Sequence, residues 1–320
     1  MRNRIAAALA ALLAAAMPAA AQMSVMPPEL QATMERIGPV WGRDILGHVA
    51  ISQAAYTPLL AAAPREGVEI RRDVAYGPDP KQVLDIHARP GLSRAPIVVF
   101  FHGGAYVRGD KRVNDEIYGN VATWFARQGM VGINATYRLA PQSPWPGGAQ
   151  DVGAVVAWLK QNAAAIGGDA DRILLIGHSA GATHVANYVF DRSIHPAAGP
   201  GVTGVVLMSG RYRLEYVPAD PNARNMQAYF GADPAQYPAR FAITHVGGSR
   251  LPVFIVVAEY DNPGLDVSGA ELMSAICARD GACPRFTRLE RHNHLSMVHH
   301  FNTADEQLGR EILVFMQRGR

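Results

Sequence analysis

The sequence predicts a three-layer α/β sandwich: a mostly parallel sheet of eight strands between layers of helix, carrying a small cap. Three observations lead there. From Val68 onward, short strand-like runs alternate with helical patterns. Ile97 to Phe101 is a continuous apolar run, as are Ile173 to Ile176 and Val253 to Val257, the character of parallel strands buried on both faces. Two segments, Met23 to Glu66 and Arg211 to Arg250, stand outside the alternation, where a cap over such a sheet is expected.

Val68 to Tyr76 and Val83 to Ala88 are alternating runs joined by Gly77, Pro78, Asp79 and Pro80, which predicts an antiparallel hairpin. Ile97 to Phe101 is the first continuous apolar strand. Val131 to Ala135, Ile173 to Ile176, Val202 to Met208, Val253 to Val257 and Arg285 to Leu289 complete the eight. Helical periodicity fills the gaps at Glu116 to Arg127, Ala149 to Gln161, Ala180 to Phe190, Ser268 to Ala278 and Ala304 to Gln317. Ser268 with Glu271 has the spacing of a capping box and predicts a helix start at that point. Units of this kind close most economically as parallel neighbours joined by helical crossovers.

The chain is 320 residues, 49% hydrophobic and 18% charged, which provides for a large core and excludes a disordered or collagen-like polymer. Arg2 and Arg4, an apolar stretch from Ile5 to Met17, and Ala19, Ala20, Ala21 before Gln22 read as a signal peptide cleaved after Ala21. The apolar stretch is roughly thirteen residues, short of the ~20 that span a bilayer. The expected divisions are residues 1–21 as signal, 22–66 as an N-terminal helical cap segment, and 67–320 as the main domain with a cap insertion at 211–250. An exported, periplasmic or secreted protein with no later membrane span follows. Removing Arg2 and Arg4 lowers the formal charge from +3 to +1, and no basic run is longer than Arg71 and Arg72, so nucleic acid is not an expected partner. Cys277 and Cys283, six apart across Asp280 and Gly281, are expected to pair in an oxidising compartment; they lack the second ligand pair of a zinc site.

The chemistry concentrates at strand ends. Gly177, His178, Ser179, Ala180, Gly181 directly follows one predicted strand and opens a predicted helix. A serine on so sharp a turn is an exposed nucleophile at a helix N-terminus, where developing negative charge is favoured. The pentapeptide alone arises by chance about 0.1 times in a chain of this composition, so its context carries the weight. His102, Gly103, Gly104, Ala105 directly follow the Ile97 to Phe101 strand. The N–H groups of Gly103, Gly104 and Ala180 are therefore candidate donors to an oxyanion. A serine nucleophile needs a general base, and the base needs a carboxylate to fix its tautomer; after this elbow the chain order is acid, then histidine. Asp261, just past the Val253 to Val257 strand, is the expected acid, with Asp266 and Glu259 as alternatives. His294 is the expected base and His292 its rival, while His299, His300 and His48 are expected to be solvated or packing residues.

His102 to Ala105, Gly177 to Gly181, Asp261 and His294 together resemble the α/β-hydrolase fold, and within it the hormone-sensitive-lipase-like and feruloyl-esterase-like carboxylesterases. Tyr137 to Pro141 followed by Pro144 is similar to that group's loop after the fourth strand. Ala105 departs from the third glycine of the lipase-like branch, and Phe241 and Ala242 stand where the cap of that group would carry a Ser-Pro pair. The resemblance spans roughly Val68 to Gln317. It implies an acyl-enzyme on Ser179, with small to medium esters, aromatic ones included, as substrates. Separately, no Gly-rich phosphate loop, metal-ligand cluster or cofactor fingerprint appears in the sequence, so no cofactor or metal is expected. Arylformamidases share the motif set and supply an alternative reading; a non-catalytic binding module on the same fold is a second. Tyr106, Trp145 and Tyr260 flank the motif loops and are weak candidates for substrate contact. Arg108 and Lys111 are expected on the solvated surface. Nothing in the sequence fixes the oligomeric state.

Overall fold

The computed structural model describes residues 26–213 and 220–318; the expected signal peptide lies outside them. Eight strands form one sheet: β1 (Glu69–Ala75), β2 (Val83–Ala88), β3 (Ala95–Phe101), β4 (Val131–Ala135), β5 (Gly168–His178), β6 (Gly204–Met208), β7 (Val253–Tyr260) and β8 (Arg285–Asn293). Their spatial order is β1-β2-β4-β3-β5-β6-β7-β8. β1 and β2 form the expected antiparallel hairpin, and β2 also runs antiparallel to β4. Every pairing from β4 through β8 is parallel. The carboxyl ends of six strands therefore meet along one edge, with helix connections returning behind them.

Alternation along β3 sorts the interior into two layers. Ile97, Val99 and Phe101 point to one face, where α4 (Gly147–Asn162), α5 (Ala180–Phe190) and α7 (Leu265–Asp280) contribute Val152, Val185 and Leu272. Val98 and Phe100 point to the other, packed by Trp124 of α3 (Gly119–Arg127) and Ile312 of α9 (Gln307–Arg318). The N-terminal segment joins this second layer. Its helices α1 (Pro28–Ile37) and α2 (Ile45–Ala61) bury Met34, Trp41 between them, and Tyr56 beside β8 and the short α8 (Ser296–His299).

Within the expected cap insertion, residues 220–241 carry α6 (Ala223–Phe230) and two single-turn 3-10 segments. Met226, Tyr229, Phe230, Tyr237 and Phe241 cluster there with Tyr106 from the loop after β3. Phe241 and Ala242, at the place of the expected Ser-Pro pair, are both buried: Phe241 stacks on Phe230 at 4.4 Å, and Ala242 enters the main core. The last part of the insertion, Ala242–Gly248, packs down against α5 and α7.

Two expectations need correction. α7 begins at Leu265, capped by Gly264, not at the Ser268 capping box; Ser268 is buried one turn inside, where its Oγ accepts from the Tyr212 N–H at 2.8 Å. Lys111 is not solvated. Its ammonium is buried between Asp73 and Asp85, 3.3 Å from the latter, and pins the segment after the glycine loop to β1 and β2. Cys277, in the last turn of α7, is joined to Cys283 by a disulfide. No helix among the described residues is long and apolar enough to cross a membrane.

Candidate active site

β5 ends at His178 and α5 begins at Ala180, leaving Ser179 alone on the turn with φ 55° and ψ −122°. A residue other than glycine held there costs about 1–3 kcal/mol, so the surroundings must impose it. The Ser179 N–H donates to the Met208 carbonyl at 2.8 Å, and its own carbonyl accepts from Ala182 and Thr183. A Cβ on Gly181 would sit 2.3 Å from the Phe101 carbonyl oxygen, so only glycine lets α5 start this close to β3. Ala180 opens the helix, and its N–H is one of the donors a helix start leaves free.

The loop after β3 lies beside it. His102 is buried, and burial pushes its imidazole down to about 4, which keeps it neutral. Its Nδ1–H donates to the Gly103 carbonyl at 2.7 Å, while its ring stacks on Tyr137 and its carbonyl accepts the Tyr137 hydroxyl at 2.8 Å. With the Gly103 carbonyl turned to His102, the N–H on the same planar peptide, that of Gly104, faces away. Gly104 adopts φ 148°, and a Cβ there would collide with the Arg108 carbonyl at 1.8 Å.

Asp261 and His294 come together from the ends of β7 and β8. The His294 Nδ1–H donates to Asp261 Oδ1 at 2.7 Å, with both side chains almost wholly buried. Asp261 Oδ1 also accepts from the Asn262 N–H at 2.8 Å, while Oδ2 accepts from the Ser209 hydroxyl at 2.5 Å and the Ala258 N–H at 3.1 Å. Four donors thus orient the carboxylate. With Nδ1 committed, the ring nitrogen left to exchange a proton with Ser179 is Nε2. Ser179 and His294 line one cavity of about 350 Å³, together with Gly103, Gly104 and His178. Such a grouping has the parts for acyl transfer: a hydroxyl nucleophile, a base in a fixed tautomer, and main-chain donors beside them.

The rival residues are engaged elsewhere. His292 bridges Asp305 and Ser296, with both ring nitrogens at 3.1 Å, in a buried position off the cavity wall. Glu259 accepts the Arg291 N–H at 2.6 Å and faces Arg288. Asp266 is exposed in the first turn of α7. His299 and His300 are buried packing residues, and His48 stacks on Trp41 with Nδ1 on the Trp41 carbonyl. Tyr106 lines a small recess beside Ser179, and Arg108 is exposed at the mouth of the larger cavity. Trp145 lies in the cap cluster under Arg240, and the Tyr260 ring lies against Gly38.

Four contacts escaped the sequence reading. Ser209, one residue past β6, supports Asp261 from below. His178 is covalently next to the nucleophile, and its Nε2–H donates to the His294 carbonyl at 2.8 Å with ring centroids 4.6 Å apart; burial holds this imidazole well below its ordinary value and therefore neutral. The Trp41 indole N–H donates to Asn262 Oδ1 at 2.7 Å, and Asn293 Nδ2 donates to Ser52 Oγ at 2.9 Å, so the N-terminal segment holds both the acid loop and the base loop. Only Ser209 carried a usable signal, a polar residue at the carboxyl end of a central strand. Among the described residues no group of three or more His, Cys, Asp or Glu side chains is arranged to hold a metal ion.

The strand order and the loops at the carboxyl ends of the parallel strands are those of the α/β-hydrolase fold. A family model described as BD-FAE matches residues 84–190, which hold the hairpin's second strand, the glycine loop and the serine elbow. The esterase LipC of Mycobacterium tuberculosis is 33% identical over 155 residues, 45% of this chain and 38% of that protein. Esterase LipQ of the same organism is 28% identical over 207 residues, covering 59% and 48%. The chain thus aligns with less than half the length of these curated relatives. Among solved structures, esterase B from Lactobacillus rhamnosis superposes with a TM-score of 0.69 at 19% identity, over 91% of this chain and 96% of that one. A hyperthermophilic esterase from Pyrobaculum calidifontis gives 0.68 at 20% identity, over 91% and 98%. The chain has the α/β-hydrolase fold, and the relatives it matches in sequence are named as esterases.

Proposed function

We propose that this protein is a serine carboxylesterase that works through an acyl-enzyme on Ser179. The observation that carries the reading is His294, held by the buried Asp261, lining one cavity with the strained Ser179 turn. Neutral His294 takes the Ser179 proton at Nε2 as Oγ bonds to the ester carbonyl carbon, and the carbonyl π electrons move onto oxygen. The N–H groups of Ala180, Gly103 and Gly104 are the donors for that oxyanion, each worth about 2.7–4 kcal/mol in the transition state. Collapse expels the alkoxide, which takes the proton from His294. Water, deprotonated by the same nitrogen, then releases the acid and restores Ser179. Small to medium esters, aromatic ones included, fit a cavity of about 350 Å³.

The test sets a short-chain aryl ester beside a formylated arylamine and follows labelling of Ser179 by an organophosphonate. Ester turnover should dominate and Ser179 should label. Dominant turnover of the formamide would reverse the order in favour of an arylformamidase; no labelling of folded protein would favour a binding module. We also place the enzyme outside the cytoplasm, on the strength of the Arg2 to Gln22 pattern. Mature protein from a cell fractionation should begin at Gln22, and an intact N-terminus on cytosolic protein would refute export.

A further inference from the structure

Two spaces of very different size open on Ser179. The first is the cavity of about 350 Å³ that contains His294 and Leu295. The second is a recess of about 30 Å³ that reaches Ser179 and Ala180 without touching His294. The chemistry says which half of an ester goes where. The leaving oxygen must receive its proton from His294, so the alcohol lies on the His294 side. The acyl chain, on the other side of the carbonyl carbon, is left with the recess. We infer, resting on the esterase reading, that the acyl group is limited to acetyl or propionyl while the alcohol is bulky and apolar.

The recess is small because its walls are held. Tyr106 forms one side. Its ring is stacked on Tyr229 at 5.0 Å and 10°, is met edge-on by Phe230, and has its hydroxyl 3.2 Å from Thr183 Oγ1. Met226 and Leu265 form others, both buried, Met226 completely. Ser209 cannot turn away because its hydroxyl is committed to Asp261. Since a water-sized group needs about 10–15 Å³ measured this way, the recess takes about two. That accommodates one or two carbons beyond the carbonyl and no aromatic ring. On the opposite side the wall comes from the N-terminal segment and the loop before α3: Ile45, Leu46, Val49 and Val113. Leu46 is 70% exposed and Val113 45%, two of the three most exposed large apolar side chains among the described residues, and both stand on this one cavity. An apolar alcohol group would cover them.

The experiment holds the alcohol constant. Hydrolysis of 2-naphthyl acetate, propionate, butyrate and octanoate should show kcat/KM falling at least about 10-fold between acetate and butyrate, the scale expected when a packed site is overfilled. Met226→Ala should raise the butyrate-to-acetate ratio about 10-fold, and the ratio is unaffected by any loss of folded enzyme. Leu46→Ser should raise KM for 2-naphthyl acetate relative to phenyl acetate. Octanoate turned over as well as acetate, or a ratio unmoved by Met226→Ala, would overturn the inference and leave the esterase reading standing. Failure to hydrolyse any of the four would remove that reading instead, and the inference with it.

Discussion

The two flanks of Ser179 are built by different means. On the His294 side, every element that touches the triad is fixed by directed hydrogen bonds: Asp261 with four donors, His178 on the His294 carbonyl, Trp41 on Asn262, Ser52 on Asn293. On the cap side the contacts are rings: Tyr106 on Tyr229, Phe230 on Phe241, with Met226 between α6 and the recess. Proton transfer depends on angle, which hydrogen bonds set; substrate choice depends on volume, which packed side chains set. Substitutions on the first flank should therefore reduce turnover, and those on the second should redistribute it among substrates.

The comparison breaks most sharply at its shared centre. Ser179→Ala should lower kcat on the order of 10⁶-fold while leaving thermal unfolding unchanged or slightly delayed, because the half-buried hydroxyl faces the cavity and packs little. Residual hydrolysis above a trace, in protein free of wild-type enzyme, would remove the nucleophile assignment. On the hydrogen-bonded flank, His294→Ala should approach the same loss, and Asp261→Asn should cost about 10⁴-fold by presenting the wrong tautomer. His292→Ala should cost far less turnover and appear in stability, since its ring joins Asp305 to Ser296. The deeper kinetic loss at His292 would move the base by two positions and leave the fold untouched.

The same division explains what the sequence disclosed. The hairpin was legible from its alternation and the turn between its strands, the central strands because buried parallel strands are largely apolar runs, and the elbow and glycine loop because their backbone geometry admits few residues. His294 and Asp261 followed from strand ends and chain order. The N-terminal clamp was not legible. Trp41 and Asn262 are 221 positions apart, and nothing local in either marks a partner. Lys111 misled for the opposite reason: lysine is normally solvated, and its burial depends on two aspartates from the hairpin. Ser268 and Glu271 satisfied a local capping rule, but the helix starts at Leu265 and the Ser268 hydroxyl is taken up by the Tyr212 N–H instead of a helix end. The cap's volume is a property of side chains assembled from several segments, and no short pattern encodes it.

Acid should weaken both flanks together. Burial pushes His87, His184 and His299 down to about 3 and His102 and His300 to about 4, and it holds His178 well below its ordinary value of 6.5. Their folded-state values lie below the unfolded one, so the unfolded chain binds more protons once pH drops under 6.5. Stability is therefore full above about 6.5 and is lost as pH falls toward 3–4, by up to about 1.4 kcal/mol per pH unit for each fully engaged histidine. A thermal-unfolding series from pH 7.5 to 4.5 should show Tm falling steeply below 6.5. A flat Tm to pH 5 would mean these rings are protonated or solvated in the folded protein.

The smallest effect sharpens the comparison most, because it asks whether a distant hydrogen bond serves angle alone. The Trp41 indole N–H donates to Asn262 Oδ1, and the Asn262 N–H donates to the same Asp261 oxygen that receives His294. Trp41→Phe keeps an apolar ring in the buried site and deletes the donor. A net hydrogen bond is worth about 1 kcal/mol, so kcat should fall about 5-fold with KM for a short aryl acetate little changed. Tm will fall as well from the lost volume, so stability alone cannot identify the role. The decisive measurement is a double-mutant cycle with Asn262→Ala: if Trp41 acts through Asn262, then Trp41→Phe should cost kcat almost nothing further in that background. Additive losses in kcat would mean that Trp41 supports the fold without steering the acid loop, and that the N-terminal segment is a wall of the cavity rather than part of the catalytic frame.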